Sequence, residues 1–133
     1  MKNRTVDKTL YRNYLKKSNE CLESATDSIS RQNWNAAVIS AIHCAISAVD
    51  SLTVFFRGER HAGERHEDVI NLLQSLDGIE KETINKKIRQ LQRLLQIKNS
   101  AEYEEKLMSQ QDAEVSKKDA ERILIWAKDK LPE

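Results

Sequence analysis

The order of apolar and polar positions along the chain predicts helices, most strongly between Trp34 and Phe56. Apolar residues recur there every three or four positions over about six turns, which keeps them on one helical face. A weaker pattern with the same period predicts a first helix from about Asp7 to Arg31. The short break at Gln32 and Asn33, with Asn33 as a cap, predicts that these two helices form an antiparallel hairpin.

Shorter apolar patterns predict two further helices after residue 66. Val69 to Leu76 form a third helix, and Gly78 can end it in the left-handed conformation. Ile84 to Leu95 form a fourth. The polar, acid-rich stretch 99–114 shows no sustained period, which indicates a loop.

A fifth helix is predicted from Ser116, because Asp119 follows three residues later in the spacing of a capping box, and its apolar pattern continues to Leu131. The pattern contains no strand. The predicted fold class is therefore all-α, an antiparallel up-and-down bundle of about five helices.

Composition adds three constraints to this picture. A chain of 133 residues with three glycines and one proline suits a single helical domain, residues 1–133. A net charge of +1 gives no global attraction to nucleic acid or to an acidic membrane. Cys21 and Cys44 lie inside helical patterns as two single thiols, and no uncharged apolar run of about 18 residues is evident. We therefore expect a cytoplasmic protein that does not cross a membrane.

The segment 57–66 contains Gly-Glu-Arg-His twice and holds two of the three histidines. Its basic side chains are candidate ligand-binding residues: Arg60, His61, Arg65 and His66. Two histidines five positions apart, with His43 as a third, do not have the usual spacing of a metal site, so we expect neither a metal nor a cofactor. In the alternative interpretation His66 opens the third helix and the arginines are solvated.

Other charged residues have both a functional and a structural interpretation. His43, with Asp50 two turns further on, fits a polar contact at a helix–helix seam. Lys86, Arg89 and Arg93 form a stripe that can follow a phosphate backbone or simply face solvent. Residues 79–98 carry six basic and two acidic side chains, whereas 99–121 carry seven acidic and three basic, so the two segments can neutralise each other.

Four segments taken in order resemble the HEPN superfamily over about residues 7–131. They are residues 35–52, then 58–66 leading into 68–73, then 94–103, and finally 115–121. The resemblance implies an antiparallel bundle that often forms a homodimer and frequently works beside a minimal nucleotidyltransferase. In active members it implies a metal-independent ribonuclease, whose motif is an arginine, a polar residue and a histidine a few positions later.

In this chain the matching positions are Lys98, Asn99 and Tyr103. Lysine lacks the planar fork of arginine, and the tyrosine hydroxyl, with a pKa near ~10, is a poor general base at neutral pH. Glu102 can accept a proton instead. The resemblance therefore favours a degenerate homodimeric binding module, with a nucleotidyltransferase or RNA as partner, in a toxin–antitoxin-like or stress-response system.

The alternative hypothesis is a ribonuclease that uses the segment Lys98-Asn99-Ser100-Ala101-Glu102-Tyr103. Its base is Glu102, or a loop histidine, His61 or His66.

A homodimer is also expected on physical grounds. Leu94, Ile97 and Ile125 lie outside the main apolar stripes and would expose apolar surface in a monomer. Trp126, beside the apolar face of the fifth helix, either joins this interface or closes the end of the bundle. We expect the segment 98–103 to lie near the two-fold axis.

Overall fold

The computed structural model describes residues 3–62 and 65–132, and of His66 the backbone alone. The five α-helices in this part of the chain are α1 (Tyr11–Ser30), α2 (Trp34–Arg57), α3 (His66–Gln74), α4 (Lys81–Tyr103) and α5 (Gln110–Lys130). A single 3-10 turn, Lys8–Leu10, precedes α1. The predicted all-α class with five helices is confirmed.

The expectation of a chain without strands is wrong. Residues Asn3–Thr5 (β1) pair antiparallel with Glu59–His61 (β2). Gly58 adopts φ +68°, ends α2 and reverses the chain, and its carbonyl accepts a hydrogen bond from Val6 N at 2.9 Å. Strands of three residues are too short to show an alternating pattern, so the sequence carries no local signal for them.

Helix α2 forms the centre of the bundle. It packs against α1, α4 and α5, and α4 also packs against α5. Ala37, Ala41, Ala45 and Ala48 on α2 are completely buried. Side chains this small let neighbouring helix backbones approach closely, as expected for the central helix.

The predicted α1–α2 hairpin is present, and its turn places Gln32 at φ +61°. Asn33 occupies the position before α2, as predicted, but its side chain makes no capping hydrogen bond. The Asn35 side chain accepts a hydrogen bond from Met108 N at 2.8 Å instead. This bond attaches the α4–α5 linker to the start of α2.

The largest boundary errors concern α4 and α5. Helix α4 continues to Tyr103, well past Leu95, and its last turns are held to the bundle by the buried Ala101. Helix α5 begins at Gln110, and its capping box is formed by Ser109 and Asp112. The capping box predicted at Ser116 and Asp119 is wrong, since both residues are buried inside α5.

Three smaller expectations also need correction. Helix α3 ends at Gln74 with Ser75 as its cap, so Gly78, at φ +90°, shapes the following turn and does not end the helix. Leu94 and Trp126 are buried, whereas the apolar pattern had placed both beside the core. Ile125 does lie outside the core, with 61% of its surface exposed.

Helix α2 is long and apolar enough to cross a membrane by length and composition, with a mean hydropathy of 1.7 over its most apolar window. Asp50 interrupts this stretch, which is why it does not read as an uncharged apolar run. Two-thirds of it is buried within the bundle, as in the core helix of a soluble domain.

On the same helix the Cys44 thiol is buried, which raises its pKa to about 11, and neither cysteine forms a disulfide.

The start of α5 yields a test of the corrected boundary. Ser109 Oγ accepts a hydrogen bond from Asp112 N at 3.0 Å, and the Asp112 carboxylate accepts one from Ser109 N at 2.9 Å. We expect Ser109→Ala to lower the free energy of unfolding by about 1 kcal/mol. Ser109→Asp, which retains a capping acceptor, should restore most of it. Urea denaturation of the three proteins measures the difference, and an unchanged midpoint for Ser109→Ala would contradict the assignment.

Candidate functional site

The carboxyl-terminal end of α4 meets the middle of α2 at a cluster of three ionisable side chains, His43, Lys98 and Glu102. Glu102 lies between the two basic groups. Its Oε1 is 3.5 Å from His43 Nε2, and its Oε2 is 3.4 Å from Lys98 Nζ. The spacing of four residues between Lys98 and Glu102 places them on one side of α4. We refer to these residues as the α2–α4 cluster.

His43 makes the predicted polar contact at a helix–helix seam, with Glu102 of α4, but its side chain is not buried. Its side chain is 52% exposed, whereas that of Glu102 is 14% exposed. It lies on a strip of α2 that the other helices leave partly open, between the half-buried Ile39 and Ile46. The helical period shows which residues of α2 share a face. The position of α4 decides which of these faces remains accessible to solvent.

Only two of the four predicted catalytic residues belong to this cluster. Asn99 Nδ2 donates to Glu104 Oε2 at 3.3 Å, and Ser100 Oγ donates to Glu104 Oε1 at 2.7 Å. These bonds close the last turn of α4. The Tyr103 side chain is exposed, and no hydrogen bond to it is found among the described residues. The structure therefore brings together Lys98 and Glu102, adds His43, and leaves Asn99 and Tyr103 outside the cluster.

The basic side chains of β2 meet a buried carboxylate. Arg60 Nε donates to Asp50 Oδ2 at 3.0 Å, and His61 Nδ1 lies 3.2 Å from Asp50 Oδ1. Asp50 is only 2% exposed, and the Arg60 guanidinium also stacks over the Tyr14 ring at 5.7 Å. Arg60 thus anchors β2 to α2, and His61 lies beside the same carboxylate without a hydrogen bond to it. The interpretation of Arg60 as a solvated residue is wrong.

The other two predicted ligand-binding residues have a different environment. The Arg65 side chain is 79% exposed, and its Nε lies 3.6 Å from Glu67 Oε2. His66 begins α3, as one interpretation predicted, but its side chain lies outside the described residues. Within residues 3–62 and 65–132, no group of three histidine, cysteine or acidic side chains could hold a metal ion.

A groove between α4 and α5 contains the second buried carboxylate. Arg93 forms a fork with Asp119, through Nε to Oδ2 at 3.0 Å and Nη2 to Oδ1 at 2.8 Å. These bonds raise the pKa of Arg93. One part of the groove, about 260 Å³ in volume, has an apolar floor formed by Leu94, Ile97 and Val115, and polar side chains that include Gln111 and Asp112 complete its lining. Arg93, one of the three residues of the predicted basic stripe, therefore joins α4 to α5 through Asp119, although half of its side chain remains exposed.

The fold agrees with comparisons to known proteins. A family model described as the HEPN domain matches residues 11–130. The chain belongs to the HEPN family. Among solved structures, that of TT1696 from Thermus thermophilus is similar at a TM-score of 0.73 and 19% identity, covering 92% of this chain and 98% of TT1696. At this identity the likeness shows the fold. A comparison with curated protein sequences found no match.

Sequence reasoning about this HEPN protein missed the roles of His43 and Asp50. Seven residues separate them, so they lie on nearly the same side of α2. The seven-residue spacing indicated a single polar contact between helices that would involve both His43 and Asp50. In the structure each meets a different element, His43 the end of α4 and Asp50 the strand β2.

The anchoring of β2 gives a second testable prediction. Asp50→Asn leaves the Arg60 and His61 side chains without their buried carboxylate, and we expect the free energy of unfolding to fall by about 2 kcal/mol. Asp129→Asn is the matched control, because its side chain is 73% exposed and should change stability by less than about 0.5 kcal/mol. Equal urea midpoints for the two variants would show that the Asp50 contacts do not stabilise the fold.

Proposed function

We propose that this HEPN protein is a homodimeric binding module of the cytoplasm. The observation that carries the proposal is the group of large apolar side chains exposed at one end of the α4–α5 pair. Tyr103 is 75% exposed and Leu107 is 80% exposed, and Val115 is 47% exposed on the neighbouring helix. Large apolar side chains left exposed in this way are typical of protein–protein interfaces.

The positions that match the family's ribonuclease motif give little support for cutting RNA through that motif. Tyr103 is separate from the α2–α4 cluster, and the Asn99 side chain donates to Glu104. Lys98 pairs with Glu102, which weakens its attraction for a phosphate. A module that binds without cutting is the simpler interpretation of this arrangement.

The partner class comes from the family resemblance. HEPN proteins frequently work beside a minimal nucleotidyltransferase, and a toxin–antitoxin-like or stress-response pair is the setting we propose here, with RNA as a second candidate ligand. The neighbouring reading frame tests the protein partner. A Gly-Ser motif followed by paired aspartates in that frame would support the proposal, and an isolated gene would count against it.

Assembly is the first property to measure. We expect light scattering after gel filtration to give about twice the 15.4 kDa chain mass at micromolar concentration. Tyr103→Glu combined with Leu107→Glu should halve that mass without loss of helical content, because both side chains are exposed. Leu10→Glu, at the exposed Leu10 before α1, is the control and should remain dimeric. A monomeric natural protein would refute the homodimer.

One observation favours a second candidate function, a metal-independent ribonuclease with His43 as general base. His43 is accessible, and its Nε2 lies 3.5 Å from a carboxylate that can orient the ring. His43 would take the proton of an RNA 2′-hydroxyl while that oxygen attacks the adjacent phosphorus and Lys98 neutralises the phosphate. The 5′ oxygen would leave with a proton from solvent, producing a 2′,3′-cyclic phosphate and a 5′-hydroxyl.

Incubation with single-stranded and structured RNA in the presence of a chelator tests this candidate. If the chain cuts RNA, His43→Gln should reduce the rate at least about a hundredfold, whereas Tyr103→Phe should have little effect. The reverse order would assign the base to Tyr103. Intact RNA at high concentrations of the natural protein would refute the ribonuclease and leave the binding module standing.

A further inference from the structure

The groove between α4 and α5 combines an apolar floor with a basic rim. Beyond the part lined by Leu94, Ile97 and Val115, it continues along α5 as a space of about 490 Å³. Arg93, Lys118 and Arg122 line this space. A surface of this kind suits a short segment that carries both apolar and acidic side chains.

The positive charge of the rim is only partly compensated within the chain. The lining holds three carboxylates, and each has a hydrogen-bond partner in the chain: Asp119 bonds to Arg93, Asp112 to Ser109 N and Glu114 to Gln110. Among the described residues, Lys118 and Arg122 form no ion pair. Lys87 lies near Arg122, and burial together with repulsion from Arg122 lowers the pKa of Lys87. Cations that have no carboxylate partner of their own favour an acidic partner.

A segment with the matching chemistry follows the last turn of α4 in the same chain. Residues 103–107 read Tyr-Glu-Glu-Lys-Leu, and all five are exposed. Tyr103 and Leu107 provide the apolar side chains, and Glu104 and Glu105 provide the acidic ones. Ser100 and Asn99 hold one of these carboxylates, that of Glu104, at the surface. We call this stretch the acidic segment.

The acidic segment cannot reach the whole basic rim of its own chain. Arg122 lies twelve residues beyond the start of α5, a distance of about 18 Å along the helix. A second copy removes this limit. If two copies of α4 cross antiparallel near Lys98, Tyr103 of one copy is level with Arg93 of the other, because both lie five residues from the crossing point.

We infer that the acidic segment of one copy occupies the α4–α5 groove of a second copy, and that the contact is reciprocal. Glu105 then lies against Lys118 and Arg122, and Tyr103 covers the nearer end of the apolar floor. A two-fold axis makes the contact occur twice with the same residues, so that it closes on itself. This inference rests on the proposed homodimer and specifies the surfaces that form it.

Charge reversal tests the pairing. Glu105→Lys and Arg122→Glu should each weaken the dimer at least about tenfold in dissociation constant, because each places like charges together, and the double variant should recover most of the loss. Glu23→Lys and Lys16→Glu on the exposed side of α1 are the matched controls and should leave the dissociation constant unchanged. Analytical ultracentrifugation measures all five variants.

An engineered disulfide tests the contact directly. In a Cys21→Ser background, Glu105→Cys combined with Arg122→Cys should yield a covalent dimer on mild oxidation. The two positions of one chain are too far apart to bridge, since a disulfide requires Cα atoms within about 7 Å. Glu105→Cys combined with Lys16→Cys is the control and should remain unlinked.

The outcomes separate this inference from the proposed function. A natural protein that is monomeric would overturn both. A dimer that tolerates the charge reversals and forms no disulfide would overturn the groove contact alone. A third outcome is that the groove binds a different acidic protein and that Arg122→Glu leaves the dimer unchanged. This outcome would likewise overturn the contact between copies.

Discussion

The burial of α2 on almost all of its sides is the constraint on which the rest of the structure depends. A helix with four fully buried alanines allows its neighbours to approach closely, so α1 and α5 can pack against it over much of their length. This close packing leaves only a narrow strip of α2 open. On α2 the accessible chemistry is therefore confined to this strip, and His43 lies on it.

Two buried carboxylates attach outlying elements to this centre in the same way. Asp50 on α2 accepts a hydrogen bond from Arg60 of β2, and Asp119 on α5 accepts two from Arg93 of α4. In both pairs the carboxylate is almost fully buried while the arginine remains partly exposed. Such pairs fix the position of an element without removing its basic side chain from the surface. The Arg93 pair thereby supplies both helix packing and one wall of the α4–α5 groove.

Membership of the HEPN family fixes the fold of this chain, and its activity depends on the surfaces described above. The α2–α4 cluster offers an accessible histidine oriented by a carboxylate, although it stands apart from Tyr103. The acidic segment carries negative charge and the rim of the α4–α5 groove carries positive charge, and both surfaces also contain apolar side chains. In the inferred dimer the two α4 helices cross near Lys98, so the α2–α4 cluster lies beside the contact between the copies.

The sequence by itself determined the helical class, the α1–α2 hairpin and the central position of α2, since each follows from a sustained helical period. It did not determine where α4 ends or where α5 begins, because Ser109 and Ser116 both stand before plausible capping partners. Only tertiary packing, which buries Ser116, distinguishes them. The β1–β2 pairing and the separate contacts of His43 and Asp50 were likewise decided by the tertiary structure. Each joins residues far apart in the chain, and a periodic pattern carries no information about which distant element covers a given helical face.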